Sequence, residues 1–156
     1  MVIILNEPII SWHVLEEIDE DDFEYMQCKT YNEEGSFTPG DVISKTIQVW
    51  NNYSGNNNVK DIKNGRLVIA FKNFEDSYLL RLISVTIDNN EPSQIEIDID
   101  KGVVDIGNLS GIANNGSFAN SSNYKTIHIS IGPIPENIKS ELKSMYFYLE
   151  YEFEQE

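Results

Sequence analysis

The chain predicts an all-β fold, an antiparallel β-sandwich of immunoglobulin-like or jelly-roll type with one short connecting helix. Three observations carry that expectation. The terminal run 145–156 alternates apolar Met145, Phe147, Leu149, Tyr151 and Phe153 with glutamate at every even position from Glu150 onward. Side chains of an extended chain alternate faces, so this run has one buried and one wet side. The run 125–131 repeats the pattern, with Ile127, Ile129 and Ile131 against Thr126, His128 and Ser130. Turn residues divide the remainder into strand-sized pieces, giving eight or nine strands and no helix long enough for a parallel α/β unit.

Taken in order, 2–5 and 9–15 read as short extended pieces separated by Asn6, Glu7 and Pro8, with Ile10, Trp12 and Val14 sharing one face. Residues 16–24 hold the densest charge and read as a solvated loop. Phe23, Tyr25, Met26 and Tyr31 suggest another strand, ending at 32–35. Pro39-Gly40-Asp41 marks a turn into a strand over 42–50, and the Asn- and Gly-rich stretch 51–58 is a loop. The continuously apolar 67–71 fits a central strand covered on both sides. Ile83, Val85 and Ile87 give the next strand, 95–100 another whose wet face is acidic, and 103–106 a short one. Residues 107–123 form a long loop with few anchors, Leu109, Ile112 and Phe118. Over 135–143, Pro135 at the start, Lys139 and Lys143 late, and Ile138 four before Leu142 predict the short helix.

At 156 residues the chain is read as one domain, 1–156, with the acidic segment 1–34 as a candidate arm. The start carries no secretory signal pattern, and no apolar run reaches the length of a membrane span. The expected setting is a host cytoplasm and then an assembled particle, with no membrane insertion. Cys28 is the single cysteine, which leaves no disulfide framework. The net charge of −15 is uneven: residues 1–34 hold ten acids and one base, 145–156 four acids and no base, and the middle is nearly balanced. Such ends repel phosphates, so nucleic acid and anionic membrane are poor partners; solubility alone accounts for much of the charge, and the alternative is that one end faces a basic partner surface.

Catalytic, cofactor-binding and metal-binding residues are expected to be none. Glu96, Asp98 and Asp100 alternate with isoleucines as a strand does, and Gly102 falls one position late for a calcium loop. Ser110 lacks the glycine that a nucleophile elbow needs. His13 and His128 have no cysteine or serine at a spacing that makes a nucleophile or a zinc pair. The aromatic residues remain. Trp50 and Tyr53 sit at a strand end leading into the Asn loop, and Tyr146 and Tyr148 lie on the face opposite Phe147 and Leu149. With Leu109 and Phe118 these are the candidate interface residues.

Two runs carry a resemblance: Trp50-Asn-Asn-Tyr53 with 61–71, and 123–135. With the size and acidity, they resemble small immunoglobulin-like accessory structural proteins of tailed phages and phage-tail-like particles. The resemblance implies a non-enzymatic structural or adaptor subunit of a multi-protein assembly, a virion component at capsid, tail or baseplate, whose partners are other structural subunits in many copies. The alternative from the residues is a carbohydrate- or cell-surface-binding β-sandwich module using Trp50, Tyr53 and the Asn loops.

Overall fold

The computed structural model describes residues 7–15, 24–26, 30–53, 55–56, 58–88, 92–93, 95–112, 121–137 and 141–153. Ten strands fall within them: β1 (Ile10–Leu15), β2 (Glu24–Met26), β3 (Thr30–Phe37), β4 (Ile43–Asn51), β5 (Ile62–Phe71), β6 (Ile83–Ile87), β7 (Glu96–Asp98), β8 (Lys101–Leu109), β9 (Tyr124–Ile131) and β10 (Glu141–Glu152). They form two five-stranded sheets, β2-β1-β4-β9-β6 and β3-β10-β5-β8-β7, in which every pairing is antiparallel. The expected antiparallel sandwich is the fold.

Period-two burial places the core between the sheets. Ile10 and Trp12 of β1, Ile47 and Val49 of β4, Val85 of β6 and Ile127, Ile129 and Ile131 of β9 come from the first sheet. Leu67, Ile69 and Phe71 of β5, Val104 and Ile106 of β8, and Met145, Phe147 and Leu149 of β10 come from the second. Burying such side chains is worth about 1.5–3 kcal/mol each, so this one cluster dominates stability. Trp50, Val68 and Ala70 are also buried, yet they stand outside the cluster because their positions in β4 and β5 point to the outer faces.

The helical content differs in place from the expectation. Residues 141–143, read as the end of a helix, instead begin β10, where Glu141, Leu142 and Lys143 pair with Phe37, Ser36 and Gly35; 138–140 lie outside the described residues. Among the described residues the helical segments are two, both 3-10: Phe74–Leu82, whose Leu79 and Leu80 close the end of the core, and the three-residue Ser121–Asn123. A second correction concerns β7. Of the isoleucines expected there only Ile95 packs against the core: Ile97 and Ile99 are 44% and 79% exposed, because the strand is a three-residue edge and Ile99 sits in the following turn at φ +55. The piece expected at 2–5 and the loop 16–23 lie outside the described residues. Among the described residues no helix is long and apolar enough to cross a membrane.

Candidate functional site

Consecutive residues of a strand face opposite ways, and β4 ends on a pair that uses both sides. Asn51 shares its parity with Ile47 and Val49 and points between the sheets. There its Nδ2 donates to the carbonyls of Lys60 (2.9 Å) and Leu109 (3.3 Å), and its Oδ1 accepts from the Ile9 amide (3.0 Å). Asn52 follows at φ +60, a left-handed conformation that asparagine tolerates better than most residues. Its Nδ2 donates to the Gly111 (2.7 Å) and Asn56 (2.9 Å) carbonyls, and its Oδ1 accepts from the Asn56 amide (2.9 Å). Asn123, just ahead of β9, donates from Nδ2 to the carbonyls of Asn51 (3.1 Å), Ser110 (2.9 Å) and Ile112 (2.9 Å). All three asparagines have no exposed surface. A buried amide without partners costs several kcal/mol, so these are retained by the carbonyls they hold.

What they hold is one end of the sandwich, where an open cleft of ≈ 690 Å³ is lined by Asn56, Asn58, Val59, Asp61, Ser110, Gly111 and Ile112. Asp61 Oδ1 accepts from the Gly111 amide at 2.8 Å, tying the two walls together. Gly111 is required by packing: a Cβ there would collide with the Val59 and Lys60 carbonyl oxygens. The exposed Asn56, Asn58 and Asp61 and the half-buried Ser110 offer amide, carboxylate and hydroxyl groups beside the apolar edge of Ile112.

The other side of the same strand ends is aromatic. Trp50 stacks on Tyr124 (4.3 Å between centroids, 23° between planes) and meets Tyr53 edge-on at 5.0 Å. His13 packs at 4.3 Å from Tyr53 and 5.4 Å from Trp50. Trp50 Nε1 donates to Gln48 Oε1 (3.0 Å), whose Nε2 donates to Thr126 Oγ1 (3.2 Å). Ser11 Oγ lies 3.4 Å from His13 Nε2, a long contact that the sequence spacing did not announce. Burial pulls the His13 pKa down to about 4, since desolvation disfavours the imidazolium. This cluster fixes the strand ends that carry Asn51, Asn52 and Asn123.

The candidate interface residues divide accordingly. Trp50 and Leu109 are fully buried and are corrected as surface residues: the first is sealed under its aromatic neighbours, the second lies in the core. Tyr53 is half-buried against His13 and Trp50. Tyr146 and Tyr148 are half-buried on the outer face of the second sheet, on the far side of the sandwich from Trp50, with ring planes 16° apart. Phe118 lies outside the described residues. The sequence offers 51–58 as a turn-rich loop, and in the alternative reading as part of a carbohydrate-binding surface with Trp50 and Tyr53, and gives Ser110 no weight; the buried asparagine scaffold is not read from it. The available signal was an amide at a core-parity position, Asn51 after Ile47 and Val49, and Asn123 before Ile127.

No family model matches the chain, and no curated protein matches it. A solved structure, that of AvmM, which catalyses macrocyclization in alchivemycin A biosynthesis, matches over 79% of this chain and 74% of its own at 16% identity and a TM-score of 0.41. Neither the expected non-enzymatic structural or adaptor subunit of a phage virion nor the expected exclusion of enzyme activity finds support in this neighbour, which is itself a biosynthetic enzyme. Neither is carried forward. At that TM-score the likeness assigns no chemistry to this chain.

Proposed function

We propose that the chain binds a neutral, hydroxyl-rich small molecule, a sugar or a polyol, in the cleft between residues 56–61 and 110–112. One observation carries the reading. Fully buried Asn52 and Asn123 donate to the carbonyls of Asn56, Gly111, Ser110 and Ile112, and fully buried Asn51 donates to those of Lys60 and Leu109 beside them, so both walls are held in one arrangement. A fully satisfied buried polar network rigidifies what it touches, and a preorganised site loses less entropy when a ligand enters. The groups on the walls suit hydroxyls: Asp61 accepts, Asn56 and Asn58 donate and accept, and Ser110 does both. Ile112 and Val59 supply the apolar edge against which the C–H face of a sugar ring rests.

The test is a titration of the isotope-labelled protein with neutral mono- and disaccharides and with polyols, followed by amide chemical shifts. Shifts confined to Asn56, Asn58, Ser110, Gly111 and Ile112, weakened about tenfold or more in Asp61→Asn, support the cleft; a tenfold loss is about 1.4 kcal/mol, one hydrogen bond to a charged group. Amides that stay unmoved at saturating concentrations of the whole panel would sink the reading. His128→Ala, on the outer face of β9, serves as the control that leaves binding intact.

A further inference from the structure

The outer face of the second sheet is organised by register into three rows. Tyr146, Ala70, Lys101 and Asp98 lie side by side across β10, β5, β8 and β7; Tyr148, Val68, Val103 and Glu96 form the next row; Glu150, Arg66 and Asp105 the third. Val68 and Ala70 are buried beneath this layer although they stand outside the core. The two tyrosines are near-parallel, with centroids 6.2 Å apart. The face already holds two cations of its own chain. Lys101 Nζ stands 5.9 Å over the Tyr148 ring, and Arg66 pairs with Glu150 at 2.9 Å. Ring faces attract cations through their quadrupole, and carboxylates do so by charge.

These two cations do not balance the face. On the three rows Glu96, Asp98, Asp105 and Glu150 set four carboxylates against Lys101 and Arg66, while Glu152 beyond them lies opposite Lys63, and among the described residues Glu96, Asp98 and Asp105 carry no ion pair. No described cation stands over Tyr146, whereas Lys101 stands over Tyr148. Open hollows flank the rows, one lined by Ile95, Glu96, Val103 and Asp105, the other by Asn64, Gly65, Arg66, Asp105, Gly107, Glu150, Tyr151 and Glu152. The surface therefore offers a ring to a guanidinium and carboxylates on either side, spaced by neighbouring strands about 4.8 Å apart.

We infer that this face docks an arginine- and lysine-rich segment of another protein, with a cationic side chain laid on Tyr146 and its neighbours paired to Asp98, Asp105 and Glu96. The whole chain's charge of −15 assists the encounter, but specificity rests on the rows. This docking face is separate from the loop-end cleft and stands or falls independently of it.

A fluorescently labelled peptide alternating arginine with alanine is titrated by polarisation at several salt concentrations. Binding is expected to weaken as salt rises, and Tyr146→Ala and the shape-conserving pair Asp105→Asn with Glu96→Gln are each expected to weaken it about tenfold. The control neutralises the same number of charges elsewhere, at Glu75 and Glu136, and is expected to change affinity less than twofold; unfolding midpoints certify that every variant is folded. Equal loss in the face and control variants means adventitious attraction of a polycation to an acidic chain, and overturns the inference. So does the absence of binding at low salt, or a face that takes a neutral glycan and loses it in Tyr146→Ala.

Discussion

Lys143 Nζ stands 2.7 Å from Asp76 Oδ1, with the lysine side chain 3% and the aspartate 12% exposed. The pair joins the first turn of the 3-10 segment Phe74–Leu82 to the start of β10, so a charge on each element depends on the other. Removing one partner of a buried pair strands the other charge, whereas replacing both with apolar groups is often near neutral. Lys143→Met is therefore expected to cost about 3–5 kcal/mol in urea unfolding. The double variant Lys143→Met with Asp76→Leu is expected to recover most of that. A double variant no better than the single would show that the attraction itself, and not relief of a stranded charge, sets the energy.

The same pair explains what sequence reading could and could not reach. Alternation identified β10, β9, β4 and β6, because isoleucine or phenylalanine at every second position has one use in a sandwich. It failed at 141–143, where late lysines resemble a helix end but β3 offers a partner strand, and pairing overrides weak propensity. It failed again at Phe74–Leu82, since Phe74 and Tyr78 are exposed while Asp76 is buried, the reverse of the usual pattern. The cleft was illegible for a related reason. Asn51, Asn52 and Asn123 have turn chemistry as residue types, and only their placement in three dimensions makes them a scaffold.

The face assignment along β10 gives the next test. Leu149 is buried in the core, and Tyr148, its neighbour in sequence, lies on the outer face. Leu149→Ala is expected to cost about 2–5 kcal/mol, the range for buried leucines. Tyr148→Ala is expected to cost well under half as much, since the groups that lose a neighbour, Val68, Tyr146 and the Lys101 ammonium, lie on the outer face and not in the core. Urea midpoints at constant m-value decide it; equal losses would mean that both faces of the strand belong to one core.

The scaffold of the cleft can be loosened one group at a time. Asn123→Ala leaves the carbonyls of Asn51, Ser110 and Ile112 without this donor, at an expected cost of about 1–3 kcal/mol. Gly111→Ala forces the chain away from the Val59 and Lys60 carbonyls, so it moves the cleft wall directly. Both variants are expected to speed hydrogen exchange at Asn56 and Gly111 by at least tenfold while leaving the amides of β9 and β10 as they were. Exchange that rises uniformly across the molecule would mark the asparagines as general stabilisers, with no special hold on the cleft.

His13 makes stability depend on pH. Its pKa falls from 6.5 in the unfolded chain to about 4 in the folded one, because the ring is buried against Tyr53 and Trp50. Between those values the unfolded chain binds a proton that the folded chain does not. Stability therefore rises with pH across this window and is lost as pH drops from 6.5 towards 4, by about 3 kcal/mol in all. The measurement is taken as a difference between two proteins, so that the contribution of His13 is isolated. His13→Gln removes the titrating group and keeps a polar side chain of similar reach. The variant is expected to be the less stable protein at pH 7 and to lose stability more slowly on acidification, so the two urea-midpoint curves converge as pH falls from 6.5 towards 4. Curves that run parallel from pH 7 to pH 4 would mean that His13 becomes protonated in place, and that the aromatic cluster opens to water without unfolding.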